Sequence, residues 1–198
     1  MKRKYMSIRN PRRGATLLEL VLACLLFAFL VAATSKLYRI GEDQQRTARF
    51  YSDAQTNCRE ALRRIVRTAR HGYAVESAAT TFYGGETPSS GSSQVIFTVP
   101  QPNNTTGRDH IRFYMRSGTL YAQRSDDSSL GLQIATGVKA FSVSYFKTAT
   151  TSTGATTSPV DGTPTAATEV QLALTLTSGT ITITRTAYVE MRNAALGL

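Results

Sequence analysis

Apolar and polar positions change rhythm twice along this chain, and the changes divide it into three parts. From Ala15 to Ala33 every residue is apolar except Thr16 and Glu19, a run long enough to cross most of a bilayer as a helix. Between Ala15 and His71 there is no proline, and Gly41 is the only glycine. The spacing therefore predicts one helix of some 57 residues, about 85 Å long at 1.5 Å per residue. Gly41 is the place where it would bend or melt locally. Past Gly41, Tyr51, Ala54, Cys58, Leu62, Ile65 and Ala69 recur every three or four positions. That period defines a narrow apolar face able to dock on a globular domain. Arg49, Arg63, Arg67 and Arg70 fall opposite, beside Asp53 and Glu60. Glu42–Arg46 and Glu60–Arg64 are spaced as helical ion pairs, each worth a few tenths of a kcal/mol. His71-Gly72 supplies the stop.

Beyond it the period shortens to two. Residues 77–93 are rich in Ser, Thr and Gly and read as a loop, with one short strand around Thr81-Phe82-Tyr83. Gln94 to Val99 is β-branched and aromatic, closed by Pro100. His110–Arg116 and Thr119–Arg124 alternate around Ser117-Gly118, a hairpin pattern that puts Ile111, Phe113 and Met115 on one face. Arg112, Tyr114 and Arg116 fall on the other. Leu130–Ala135 is a weaker strand and Val138–Phe146 a stronger one. Residues 148–168 hold 15 Ser, Thr, Gly or Pro in 21 positions, which predicts a surface loop. Glu169–Thr177 and Thr180–Met191 form a last hairpin around Ser178-Gly179. The expected fold class is α+β: a long N-terminal helix, transmembrane over its first half, packed on an antiparallel β-sheet domain. The expected parts are a leader at 1–14, the helix at 15–73 and the globular domain at 74–198.

Charge changes this picture mainly at the N-terminus. The net charge is +10, but Lys2, Arg3, Lys4, Arg9, Arg12 and Arg13 all precede Gly14, with no acid among them. Without them 17 basic residues face 13 acidic ones, a net +4. Basic residues ahead of an apolar span hold that side in the cytoplasm, so the β domain should face outward. The acid inside the span is harder to explain, because a carboxylate in hydrocarbon costs about 2.5–3.5 kcal/mol on insertion scales. A plain anchor has no use for Glu19.

The run Arg12-Arg13-Gly14-Ala15-Thr16-Leu17-Leu18-Glu19 resembles the cleavage and assembly signal of type IV prepilins and type II secretion pseudopilins. The resemblance implies that a prepilin peptidase cuts between Gly14 and Ala15 and that Ala15 becomes the N-methylated first residue. It also implies that Glu19, fifth in the mature chain, meets an N-terminal amine during assembly. Ala15 departs from the phenylalanine more common at that position. The ending Val189-Glu190-Met191-Arg192-Asn193 is similar to the last strand of J-type pseudopilins and W-type minor pilins, which implies a minor subunit. The partners would be the peptidase, other pilin or pseudopilin subunits and the inner membrane, with the subunit passing from a single-pass membrane form into a filament. A secretory signal peptide ending near Val31-Ala32-Ala33, an ordinary single-span anchor and a twin-arginine signal are the competing readings. None of them accounts for Glu19. A membrane-anchored exported binding domain that does not polymerise is the alternative function.

The rest of the chain offers no enzymatic constellation. His71 and His110 are isolated and lack a motif that would activate a nucleophile. Cys24 and Cys58 lie roughly 50 Å apart on one helix, too far to bridge. Asp126-Asp127 and Asp161 are loop acids without the spacing of a calcium loop, and Asn103-Asn104-Thr105-Thr106 reads as a turn. The arginine stripe lacks interleaved aromatics and is diluted by Asp53 and Glu60, so it reads as a solvated or intersubunit face rather than a nucleic-acid site. No metal, cofactor or nucleic acid is expected.

Overall fold

The computed structural model describes residues 16–76, 81–101, 104–151, 154–159 and 164–191. Gly14, Ala15 and Asp161 lie outside them, as does Asn103. The chain divides into two compact units, the first ending at Arg46 and the second beginning at Thr47. One helix, α1 (Leu17–His71), supplies the described part of the first unit and the opening of the second. The helix is assigned without a break through Gly41, so the expected local melting is not found there. Its two ends match the predicted ones to within two residues.

In the first unit the apolar side chains from Leu17 to Val31 are exposed. One 18-residue stretch reaches a mean hydropathy of 2.6 with none of it buried, so this helix is long and apolar enough to cross a membrane.

Among the described residues the second unit holds nine antiparallel strands in two sheets, where the sequence predicted one sheet domain. The first sheet runs in the order β1 (Ala74–Val75), β2 (Gln94–Gln101), β3 (Asn104–Arg116), β4 (Thr119–Arg124), β5 (Leu132–Thr136). The second is ordered β7 (Gly154–Pro159), β6 (Val138–Thr151), β8 (Glu169–Ser178), β9 (Ile181–Glu190). The sheets are tied at β6, where the Val143 N–H donates to the Ser92 carbonyl at 2.9 Å and the Val138 N–H to the Gly118 carbonyl at 2.9 Å. The buried Tyr145 hydroxyl donates to the carbonyls of Gly91 and Gln94 at 3.0 and 3.2 Å. Burial pushes that phenol well above its ordinary range.

Period-two alternation gives β8 its inward row of Val170, Leu172, Leu174 and Leu176. These meet Cys58, Leu62 and Ile65 of α1 together with Val95, Phe97 and Phe113 of the first sheet, making one core. The buried helix positions are Ala54, Cys58, Ala61, Leu62, Ile65 and Ala69. Tyr51, expected on this face, is 49 % exposed. Its neighbour Phe50 lies over the β8–β9 turn instead. A Cβ on Gly179 would come within 2.8 Å of the Phe50 ring, so this residue must be glycine for the contact to exist as well as for its φ of 59°.

Turn chemistry fixed the hairpins. Ser117 and Gly118 both take positive φ, 49° and 74°, as a two-residue turn between twisted strands requires. In the last hairpin Ser178 still pairs with Ile181, so the turn is Gly179-Thr180, one residue later than expected.

The 148–168 segment is corrected most. Instead of a loop, it contains the end of β6, the whole of β7 and a 3₁₀ turn at Pro164–Ala166. Threonine is β-branched and fits a pleated strand, so a threonine-rich composition does not by itself signal a loop. The strand expected at Thr81-Phe82-Tyr83 is also absent, and Tyr83–Gly85 forms a 3₁₀ turn. Pro100 sits inside β2 rather than closing it. Ile96 and Thr98 direct their carbonyls to the β1 side, where Glu76 and Tyr73 donate to them. Pro100 shares their parity but lies beyond the Ala74–Thr98 pair where β1 begins, so its missing N–H costs no ladder bond.

Candidate functional site

The start of α1 is built around Thr16. Its hydroxyl accepts the Glu19 backbone N–H at 3.3 Å, and its carbonyl accepts the Leu20 N–H at 3.2 Å. Thr16 is thus the N-cap and Glu19 the third helical residue, the spacing of a capping box. Without a cap the first N–H groups of a helix in an apolar setting would be unpaired. The same placement sets the Glu19 carboxylate against the positive end of the helix dipole, worth about 0.3–1 kcal/mol. The roughly 2.5–3.5 kcal/mol of insertion scales belongs to a charge at the centre of a span, whereas Glu19 stands in the first turn. The helix end thus offsets part of the cost of this charge.

Glu19 also borders a shallow groove of about 540 Å³, lined by Leu20, Ala23, Cys24 and Phe27. Ala23 and Cys24 lie four and five residues on and are small, so another helix can approach closely there. Cys24 is exposed and free, and Cys58 is buried and free. Gly14 and Ala15, the expected cleavage and methylation positions, lie outside the described residues.

The other sequence candidates fall apart from this site and from one another. His71 ends α1 in solvent. His110, expected on a strand surface, is half-buried on β3, with Nδ1 3.5 Å from the Thr98 hydroxyl. The acids Asp126 and Asp127 are engaged by Arg124. Asp126 Oδ1 lies 3.3 Å from its Nε, and Asp127 Oδ2 accepts its backbone N–H at 2.7 Å. Among the described residues no three His, Cys, Asp or Glu side chains group as metal ligands.

Two polar networks were not legible in the sequence. Asp109 is 4 % exposed and pairs with the Arg124 guanidinium, while its other oxygen accepts the Ser125 hydroxyl at 2.7 Å and the His110 N–H at 2.8 Å. On the opposite face of β3, Arg112 is 8 % exposed. Its Nη1 reaches Glu86 at 2.7 Å, its Nε and Nη2 reach Gln94 Oε1 at 3.0 and 2.8 Å, and it lies 4.0 Å over the Tyr114 ring. On this face of β3 Arg112 and Tyr114 are buried and Arg116 is exposed. Arg112's hydrogen bond and positive charge hold the Glu86 carboxyl below its usual range. A lowered acid contributes stability above its unfolded pKa and loses it as pH falls through the folded value. Arg112→Ala is accordingly expected to destabilise the folded chain by about 2–3 kcal/mol at neutral pH, because Gln94 and Glu86 lose a charged partner. The gap to the parent should narrow at an acid pH low enough to protonate Glu86, below the ordinary carboxylate range. Urea titrations of the full chain in detergent at the two pH values measure both effects.

No protein-family model matches this chain, and no curated protein matches it.

Proposed function

We propose that this chain is a minor pilin or pseudopilin: a subunit cut by a prepilin peptidase between Gly14 and Ala15, N-methylated at Ala15 and assembled through α1 into a type IV pilus or type II secretion filament. The observation that carries the reading is Glu19, the one acid in the apolar run from Ala15 to Ala33, which opens a helix long and apolar enough to span a membrane. A carboxylate entering such a run carries a desolvation cost that a partner cation would offset. A neighbour's N-terminal amine, cationic when bare or methylated, is the partner group in this scheme. The subunit waits in the inner membrane with its β unit outside the cytoplasm. It moves into the filament when Glu19 and an adjacent amine can pair, trading a carboxylate in lipid for a charge pair.

A second reading is favoured by the Thr16 cap, which gives Thr16-Leu17-Leu18-Glu19 a purely local role at a helix start. Under it the chain is an anchored exported binding domain that never polymerises. Mass spectrometry of the membrane form in cells containing the peptidase separates the two. The filament reading expects a mature chain beginning at N-methylated Ala15. A chain that keeps Met1, or one that starts near Thr34, would overturn it.

A further inference from the structure

Helix α1 does not cover the whole inner side of the first sheet. It spends Leu62, Ile65 and Ala69 on the core, and beside the turn bearing Arg64, Arg67 and Thr68 a cleft of about 610 Å³ stays open. This lies within the roughly 300–1,000 Å³ typical of binding clefts. The floor is the inward row of β3, β4 and β5. Ile111, Ala122 and Ile134 are half-buried there, and Leu132 is 62 % exposed at the rim. These side chains continue the core outward, and among the described residues none is laid over them.

The two sides of the cleft differ in charge. On the helix side Arg64 and Arg67 line the cleft, with Glu60 the nearby acid. Glu60 pairs with Arg64 at 3.2 Å, both side chains about half-exposed, so the pair holds its partners weakly. Arg67 has no ion-pair partner among the described residues. At the far end Arg124 is committed to Asp109 and Asp126, and Asp127 also lines the cleft. The two arginines therefore stand over an apolar floor whose far end holds Arg124 and Asp127. A nucleic-acid backbone would gain little from that floor. A polypeptide segment carrying aliphatic side chains on one face and carboxylates on the edge nearest α1 satisfies all three surfaces.

We propose that this cleft docks an acidic amphipathic segment of a different protein, with its apolar side chains on Ile111, Ala122, Ile134 and Leu132 and its carboxylates at Arg64 and Arg67. The site lies within the second unit and stands independently of filament assembly.

The test uses the full chain in uncharged detergent micelles. A fluorescein-labelled peptide of leucine and glutamate in a helical repeat is the probe, followed by anisotropy. The same repeat with lysine in place of glutamate and an oligothymidylate serve as comparisons. Saturable binding of the glutamate peptide is expected, weakened about tenfold or more by Arg67→Glu and by Leu132→Asp, each a surface change. Arg70→Glu lies on the same helix outside the cleft and should change it less than about twofold. Absence of saturable binding overturns the proposal, as does equal binding of the lysine peptide. Equal loss in Arg70→Glu and Arg67→Glu, or displacement by oligothymidylate, would reduce the effect to bulk charge and also overturn it. Self-association of the chain that disappears in Arg67→Glu would assign the cleft to a second copy instead.

Discussion

Glu19→Ala is expected to insert into the membrane at least as well as the parent chain and to be missing from sheared or purified filaments. The reasoning is energetic. Removing a carboxylate from an apolar span relieves insertion cost, with about 2.5–3.5 kcal/mol, the figure for a mid-span charge, as the ceiling, so the membrane form is stabilised. Under the proposed reading it also removes the group that draws the helix out of lipid toward a neighbour's amine. Both effects oppose assembly, and the defect should exceed tenfold, since about 1.4 kcal/mol already gives that factor. Glu19→Gln separates charge from capping, because the Thr16 hydroxyl bonds to the residue-19 backbone whatever the side chain. Quantifying the subunit in membrane and filament fractions by immunoblot measures the outcome. Normal incorporation of both variants would show that the carboxylate has no part in assembly.

Leu174→Ala is expected to cost the second unit about 2–5 kcal/mol, the range for emptying a buried leucine site. Leu174 is fully buried on β8, a strand with partners on both sides. Its carbonyl accepts the Cys58 thiol at 3.6 Å, which marks how closely α1 lies against it. Collapse around the gap is limited, because sheet register holds one side and the helix the other. Domains of this kind are typically stable by about 5–15 kcal/mol, so from about a seventh to all of the total is at stake. Leu132→Ala, on the exposed rim of the cleft, should stay within about 0.5 kcal/mol. Urea unfolding of both full-length variants in detergent gives the comparison, and equal midpoints would contradict the assignment of β8 to the centre of the core.

The elements that depend on local rules were legible in the sequence. The extent of α1 followed from the absence of proline and from the glycine after His71. The β3–β4 and β8–β9 hairpins followed from Ser117-Gly118 and Gly179. What escaped was set by distant neighbours. β1 is two residues long and exists because Tyr73 and Glu76 donate to β2, which no local pattern announces. The split into two sheets depends on β6 pairing with β8 rather than with its predecessor β5. Residues 148–168 misled because serine and threonine serve loops and strands alike. Alternation placed Arg112 on the face opposite Ile111 but could not show its burial, which comes with the distant partners Glu86 and Gln94. Within the candidate site, Glu19 was evident as an acid in a lipid-like run. The capping role of Thr16 was written there as Thr-x-x-Glu but passed unread beside the larger anomaly. The cleft was invisible, because its walls come from segments more than forty residues apart.

The interior placement of Cys58 has a practical consequence. Burial raises its thiol above the ordinary range, against a smaller opposing influence from Arg185, so in the native state it is a protonated, poorly nucleophilic group. It would become available to an alkylating reagent only as the helix lifts from β8. The chain thus carries its own chemical clock for opening of the second unit, read at Cys58 once its modification is resolved from that of the exposed Cys24.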